Sequence, residues 1–165
     1  MKLRNNRSAR GRVFLCALLA ALATPAFAVL GDNAASVLTD QSLMRGTLHS
    51  VDKNAYVVHE ITTPYGSRVR EFVSPAGVVF AVAWDGQFPP NFQQLLGPYF
   101  RQAKDAAEAQ EKSQQASEQR VVRRGSAFID TPGLVFVQAG HSRSFHGRAY
   151  IPQLIPQGVA VSDIR

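Results

Sequence analysis

Short runs of apolar residues, separated by turn residues, recur along the chain and predict β-strands. Residues 56–62, 68–74 and 78–84 are rich in β-branched and aromatic side chains, and Pro-Tyr-Gly and Pro-Ala-Gly divide them. This spacing predicts a meander of three strands. In the third run both alternating sets of side chains are apolar, which is typical of a strand that is covered on both faces of a sheet.

The two sets of the third run differ in size. Strict alternation predicts that the large side chains share one face and the small ones the other. The large set is Val78, Phe80, Val82 and Trp84, and the small set is Val79, Ala81 and Ala83. We therefore expect another backbone or a helix to approach the small face closely. Trp84 is interpreted as a core anchor, with stacking on a ligand as the alternative.

A helix is predicted after the first meander. Asn91 is placed to cap it, because Gln94 follows three residues later as in a capping box. Apolar residues then recur with helical spacing, and this face is expected to pack on the sheet: Phe92, Leu95, Leu96, Tyr99 and Phe100. Gly97-Pro98 predicts a kink or two helices that meet there. Residues 101–124 are polar and predict a solvated helical spacer.

The remaining runs complete the predicted fold. Residues 127–130, 134–138 and 145–151 predict a second meander, residues 152–165 an ordered extension, and residues 29–52 a short helix with an edge strand. Together the elements predict an α+β fold with a mainly antiparallel sheet of about six strands in two meanders, in the order β-β-β-α-β-β-β. A long helix kinked at Pro98 packs on this sheet. A half-barrel around the helix is the alternative.

The first 28 residues have the order of a secretory signal peptide. A segment with five basic residues and no acidic one is followed by an apolar core over residues 13–23 and by the small-x-small sequence Ala26-Phe27-Ala28. We expect this segment, residues 1–28, to be removed and residues 29–165 to form a single exported domain. The expected location is the periplasm of a Gram-negative bacterium.

Removal of that segment changes the charge of the protein. The full chain has a formal charge of +6, and without the five bases the charge is +1, so nucleic acid is not expected as a partner. The single cysteine, Cys16, lies inside the removed segment, which excludes a disulfide framework, a thiolate nucleophile and a cysteine metal site from the mature chain. No other stretch approaches the roughly 18 apolar residues of a membrane span, so no stable membrane anchor is expected.

Four blocks of this sequence carry a resemblance to a known family. They are YVVHE at 56–60, VREFVSPAGVVFAVAW at 69–84, LLGPYF at 95–100 and GRAYIP at 147–152. With these blocks the chain resembles the uncharacterised secreted proteobacterial proteins grouped as domain of unknown function 2844. The resemblance implies an exported protein in a Gram-negative setting. It implies no activity, substrate or catalytic residue, because none is assigned to the family.

Arginine and aromatic residues are the best candidates for binding. Arg68, Arg70, Arg143 and Arg148 are expected on neighbouring strands of the sheet. The aromatic residues expected with them are Tyr65, Phe145 and Tyr150. Because arginine binds carboxylates with two parallel hydrogen bonds and stacks on rings, such a patch would suit an anionic polymer of the envelope or a protein partner. Ordinary cross-strand ion pairs are the alternative. The candidate binding residues are Arg68, Arg70, Trp84, Tyr99, Arg143, Arg148 and Tyr150.

Motifs for catalysis or for cofactor binding are absent from the sequence, and no cofactor is expected. His59-Glu60 resembles a catalytic pair, but on a strand these two side chains face opposite sides of the sheet. His141 and His146 are weak candidates for a metal site, with Asp130 or Glu71 as a third ligand. A hydrolytic pair with Ser142 or Ser144 is the other possibility at this segment.

The absence of reacting groups favours a non-catalytic, exported binding or accessory module of the cell envelope. One alternative is a carrier of small apolar ligands, whose cleft between helix and sheet is lined by Phe80, Trp84, Leu96, Tyr99 and Phe100. A metalloenzyme or hydrolase based on His141 and His146 is the second alternative. The sequence does not define the oligomeric state.

Overall fold

A computed structural model describes residues 30–116 and 126–165 of the chain. It contains three helices, seven strands and two short 3₁₀ turns at the C-terminal end. The helices are α1 (Ser36–Met44), α2 (Phe92–Leu96) and α3 (Tyr99–Ala116). The strands are β1 (Thr47–Asp52), β2 (Val57–Thr62), β3 (Arg68–Val73), β4 (Val79–Gly86), β5 (Ala127–Thr131), β6 (Leu134–His141) and β7 (Ser144–Tyr150). The predicted signal peptide lies outside the described residues.

All seven strands form one antiparallel sheet in the order β1-β2-β3-β4-β7-β6-β5. The predicted α+β class and the antiparallel sheet are confirmed, but the number of about six strands was wrong. The count of six left out β1, the edge strand predicted within residues 29–52, which pairs with β2. The two meanders join through β4 and β7, so the middle of the sheet is built from segments about 65 residues apart in sequence. β1 and β5 are its edges.

The predicted long helix is two helices that meet at Gly97-Pro98. The Asn91 side chain accepts a hydrogen bond of 3.2 Å from the backbone N–H of Gln94, which confirms the predicted cap of α2. The Gln94 side chain does not complete a capping box. Its amide donates to the Asp40 carboxylate of α1 over 2.5 Å and so connects two helices. The predicted spacer is described only as far as the end of α3 at residue 116.

A β-bulge at the start of β4 corrects the predicted alternation. Phe72 pairs with Ala81 while Val73 pairs with Val79, so Phe80 is an extra residue between the two pairs. Val79 consequently packs on the same face as Val82 and Trp84. Phe80 packs on the opposite face with Ala81 and Ala83. Strict alternation had placed Phe80 with Trp84, which was wrong because the bulge shifts the pattern by one residue.

The two faces of the sheet have different covers. The three helices cover one face, where Trp84, Phe92 and Phe136 form an aromatic cluster with ring centroids 5.1–5.4 Å apart. We call this the helix face. The C-terminal residues 151–165 cover part of the other, the tail face, where Ile164 is fully buried against Ala81, Ala83 and neighbouring aromatic rings. The close approach predicted for the small side chains is thus made by the tail.

Candidate functional site

Two rows of charged side chains cross the tail face, one of them partly beneath the C-terminal tail. One row runs from Glu60 on β2 through Arg70 and Ala83 to Arg148 on β7. The next row contains Arg68 on β3, Asp85 on β4 and His146 on β7. Directly paired residues of neighbouring strands have side chains on the same face, about 5 Å apart at Cβ. The register therefore brings together charges that are distant in sequence.

Ion pairs connect the β2, β3 and β4 members of these rows. The Arg68 guanidinium donates to Asp85 through Nε at 3.0 Å and Nη2 at 2.8 Å, and the bond with Asp85 raises the pKa of Arg68. Arg70 also binds Asp85, and its Nε lies 3.2 Å from the Glu60 carboxylate. These contacts are cross-strand ion pairs of Arg68 and Arg70. The Arg68 side chain is nevertheless 51% exposed, so it remains accessible to a ligand.

Arg148 has a different environment. Its Nη1 donates to the backbone carbonyls of Val161 at 2.9 Å and Ile164 at 3.1 Å, and thereby holds the C-terminal tail against the sheet. These acceptors are uncharged, and the ion pairs within the described residues include none for Arg148. Its positive charge is therefore directed at the site without a neutralising carboxylate.

These residues line a cleft of about 640 Å³, which we call the arginine cleft. Val137, Ala139 and Gly147 give it an uncharged surface between the charged groups. Four guanidinium groups and two carboxylates surround this surface, so the cleft is positively charged. The ionisable lining residues are Glu60, Arg68, Arg70, Asp85, His146, Arg148 and Arg165.

The structure brings Arg68, Arg70 and Arg148 together but separates the other predicted binding residues. Arg143 lies at the exposed tip of the β6–β7 turn with φ of 67°, outside the cleft lining. Tyr150 packs beneath the tail in the tail-face core. Trp84 is 97% buried in the helix-face core and contributes only part of its surface to the cleft. Tyr99 packs beside the same helix-face core.

The alternative carrier site does not have the predicted lining. Phe80 lies on the tail face, whereas Trp84 and Leu96 are buried together under the helices. The five predicted residues therefore cannot face one common cleft between helix and sheet. The bulge at Phe80 is the physical reason, as it is for the error in strand alternation.

The histidine candidates are exposed and lie on or beside the β6–β7 hairpin. Nδ1 of His141 donates to the Ser142 backbone carbonyl over 3.2 Å, and His146 lies in the arginine cleft. Within residues 30–116 and 126–165, no group of three or more histidine, cysteine, aspartate or glutamate residues could hold a metal ion. His59 and Glu60 face opposite sides, as predicted: His59 binds Ser50, while Glu60 pairs with Arg70.

Sequence reasoning missed a buried pair of carboxyl groups beneath α1. Asp40 and Glu71 are 0% and 1% exposed, and Glu71 lies beside His59 in the register of β2 and β3. Burial, and then the neighbouring Asp40, raise the pKa of Glu71 to about 8. Ser50 Oγ lies 2.7 Å from Nδ1 of His59, but Glu71 interacts with Asp40 rather than with His59. These groups therefore do not form a relay of the Ser-His-acid type.

One comparison with known proteins identifies a family. The family model described as "Protein of unknown function (DUF2844)" matches residues 26–164 of this chain. No curated protein and no solved structure matches this chain. Within the part of the chain that the structure describes, no helix has the length and apolar character needed to cross a membrane. Because the family model covers most of the sequence, the chain belongs to the DUF2844 family of proteins of unknown function.

Proposed function

We propose that this protein is an exported, non-catalytic binding module of the cell envelope, and that its binding surface is the arginine cleft. The observation that carries the proposal is the convergence of Arg68, Arg70 and Arg148 on one cleft of about 640 Å³. This volume is within the range of ordinary small-molecule sites. Its positive charge selects for an anionic ligand.

The chemistry of the cleft supports this choice of ligand. A guanidinium group is planar and always charged, and it binds carboxylate and phosphate oxygens with well-defined geometry. Arg70 and Arg148 both line the cleft, and Ile164 of the tail covers the Ala83 between them. A ligand oxygen in the cleft would accept hydrogen bonds from these guanidinium groups. The ion pairs of Arg68 and Arg70 with Asp85 would hold the two side chains ready for it.

Titration with inorganic phosphate and citrate, followed by NMR of the isotope-labelled protein, tests the proposal. We expect backbone signals of β3, β4 and β7 to shift with saturation behaviour. The double variant Arg68→Gln, Arg165→Gln should weaken binding about tenfold, because it removes charged donors from the cleft. Arg143→Gln is the matched control, since it removes an exposed arginine outside the cleft, and it should bind as the wild type does.

Two outcomes would refute the binding surface. One is the absence of saturable shifts with either anion. The other is an equal loss of affinity in the Arg143 control, which would mean that only the overall charge matters. Export is tested separately by expression in a Gram-negative host and intact mass of the periplasmic fraction. We expect a chain that begins at Val29, and a mass that includes residues 1–28 would contradict export with cleavage.

A further inference from the structure

The arginine cleft continues into a second cleft at each end. Towards β1 it adjoins a cleft of about 380 Å³, and the two share Glu60, Arg70 and Arg165 as lining residues. Towards the other end it adjoins a cleft of about 280 Å³, with which it shares Arg68, Trp84 and Asp85. Shared walls make the three clefts neighbours, and we call them together the groove. Because Met44 of α1 and Gln94 of α2 also line the smallest cleft, the groove passes from the tail face around the ends of β3 and β4 towards the helices.

The smallest of these clefts presents exposed rings, and we call it the aromatic cleft. Tyr65 in the β2–β3 turn is 80% exposed and Phe88 after β4 is 62% exposed, and both line it together with Pro89. Rings this exposed contribute little to the core of the protein. Their free faces carry the negative end of the ring quadrupole, which attracts the polarised C–H groups of a ligand.

Positive and negative side chains alternate along the groove. Arg70 lies between Glu60 and Asp85, and Asp85 lies between Arg70 and Arg68. A ligand that carries only anionic acceptors, such as polyphosphate, would offer no hydrogen-bond donor to either carboxylate. A ligand with carboxylates for the arginines and hydroxyl donors for Glu60 and Asp85 complements the whole pattern.

We propose that the groove binds a chain of acidic sugars, a polysaccharide that contains uronic acid residues. The inference rests on the proposed function and adds the class of ligand and a second subsite. Sugar carboxylates bind in the arginine cleft, and a sugar ring further along the same chain stacks on Tyr65 or Phe88.

The groove suits a sugar chain better than an acidic protein. Stable protein interfaces bury about 800 Å² on each partner and have an apolar centre depleted of charge. The centre of this groove is its most charged part, and its large exposed rings lie at one end. Sugars offer hydroxyl donors on every residue, whereas an acidic peptide offers mainly backbone donors.

Intrinsic fluorescence gives a direct test, because Trp84 is the only tryptophan of the chain and lies where the two clefts meet. The probes are galacturonic acid, its trimer and hexamer, a neutral galactose hexamer and a glutamate hexamer. We expect affinity to rise at least about tenfold from monomer to hexamer of galacturonic acid, as a second subsite is filled. The neutral hexamer should bind more weakly than the charged one.

Variants separate the two subsites. Tyr65→Ala with Phe88→Ala should remove most of the gain with length and leave the affinity for the monomer unchanged. Phe128→Ala is the matched control, because Phe128 is 55% exposed on β5 and lines neither cleft. Arg68→Gln should weaken binding of the monomer and of the hexamer alike.

The outcomes distinguish the inference from the function on which it rests. If phosphate, citrate and galacturonic acid all fail to bind, the proposed function is wrong and the inference fails with it. If these small anions bind but affinity does not rise with sugar length, the inference alone is overturned. Equal binding of the glutamate hexamer, insensitive to the Tyr65 and Phe88 changes, would also overturn it in favour of an acidic peptide.

Discussion

The two faces of the sheet differ in how completely they are covered. On the helix face three helices exclude water from a continuous apolar layer that includes Trp84. On the tail face, one short segment covers the aromatic half and Ala83 and leaves the row of Arg68, Asp85 and His146 open. Adjacent residues of one strand are therefore separated in role: Trp84 is a core anchor, whereas Asp85 lines the cleft. The extent of the covering layer, more than residue type, decides which side chains a ligand can reach.

The largest expected effect is the loss of the anchor of the helix face. Trp84→Ala should lower the free energy of unfolding by about 3–5 kcal/mol, because it removes a buried ring in contact with Phe92 and Phe136. Chemical denaturation monitored by circular dichroism measures the change. Phe128→Ala on an exposed position of β5 should change stability by less than about 0.5 kcal/mol. A small loss at Trp84 would mean that the helix face is not the main core.

The buried carboxyl pair lies on the helix face and predicts that the free energy of unfolding depends on pH. The pKa of Glu71 is raised to about 8 in the folded protein from 4.5, so the folded state binds the proton more tightly than the unfolded state does. Stability should be highest below about pH 4.5 for this group and should fall as the pH rises towards 8. One pKa unit corresponds to about 1.4 kcal/mol, so this group should lower the free energy of unfolding by at most that amount for each pH unit.

Glu71→Gln tests this pH dependence, because an amide fills the same space without ionising. We expect the variant to unfold with nearly constant free energy between pH 5 and pH 8 and to exceed the wild type in stability at pH 9. The exposed Glu108→Gln on α3 should retain the wild-type slope. An unchanged slope in the Glu71 variant would show that another group causes the pH dependence.

The cover of the tail face is expected to contribute less than that of the helix face. Ile164→Ala should cost about 2 kcal/mol, the low end of the range for buried isoleucine, because the terminal segment can detach without unfolding the sheet. Amide hydrogen exchange should accelerate in residues 161–164 but not in β4. Leu154→Ala, at a partly exposed site in the same segment, is the control. Equal acceleration in β4 would mean that the tail and the sheet unfold together.

Much of the fold could be predicted from local pattern. The runs rich in β-branched residues gave the strands β2 to β7 within one to three residues, and Gly97-Pro98 marked the junction of α2 and α3. The bulge at Phe80 could not be predicted, because it depends on pairing with Phe72 and not on the composition of β4. The order of the strands in the sheet could not be predicted either, since nothing in the local sequence indicates that β7 pairs with β4.

The candidate site was also predicted only in part, because it too depends on pairing between distant strands. Arg68, Arg70 and Arg148 were recognised as strand residues with useful chemistry, and antiparallel register placed them together. Arg143 was expected on a strand but lies at the tip of the β6–β7 hairpin, because its neighbours on both sides have strand-like sequence. Tyr65 was predicted to accompany the arginine patch, but its proximity to Phe88 was not predicted, because residues in turns acquire a common location only when the strands between them have been paired.

The smallest expected effect concerns the connection of helix to helix. Asn91→Ala should cost about 1 kcal/mol, because it leaves the N–H of Gln94 without its cap at the start of a helix of only five residues. The loss should also weaken the bond from the Gln94 side chain to Asp40, so the helix face should loosen where α1 meets α2. Denaturation gives the first effect, and faster exchange of amide hydrogens in α1 gives the second. Gln93→Ala, exposed on the same helix, is the control, and unchanged exchange in α1 of the Asn91 variant would show that α1 is held by its apolar contacts alone.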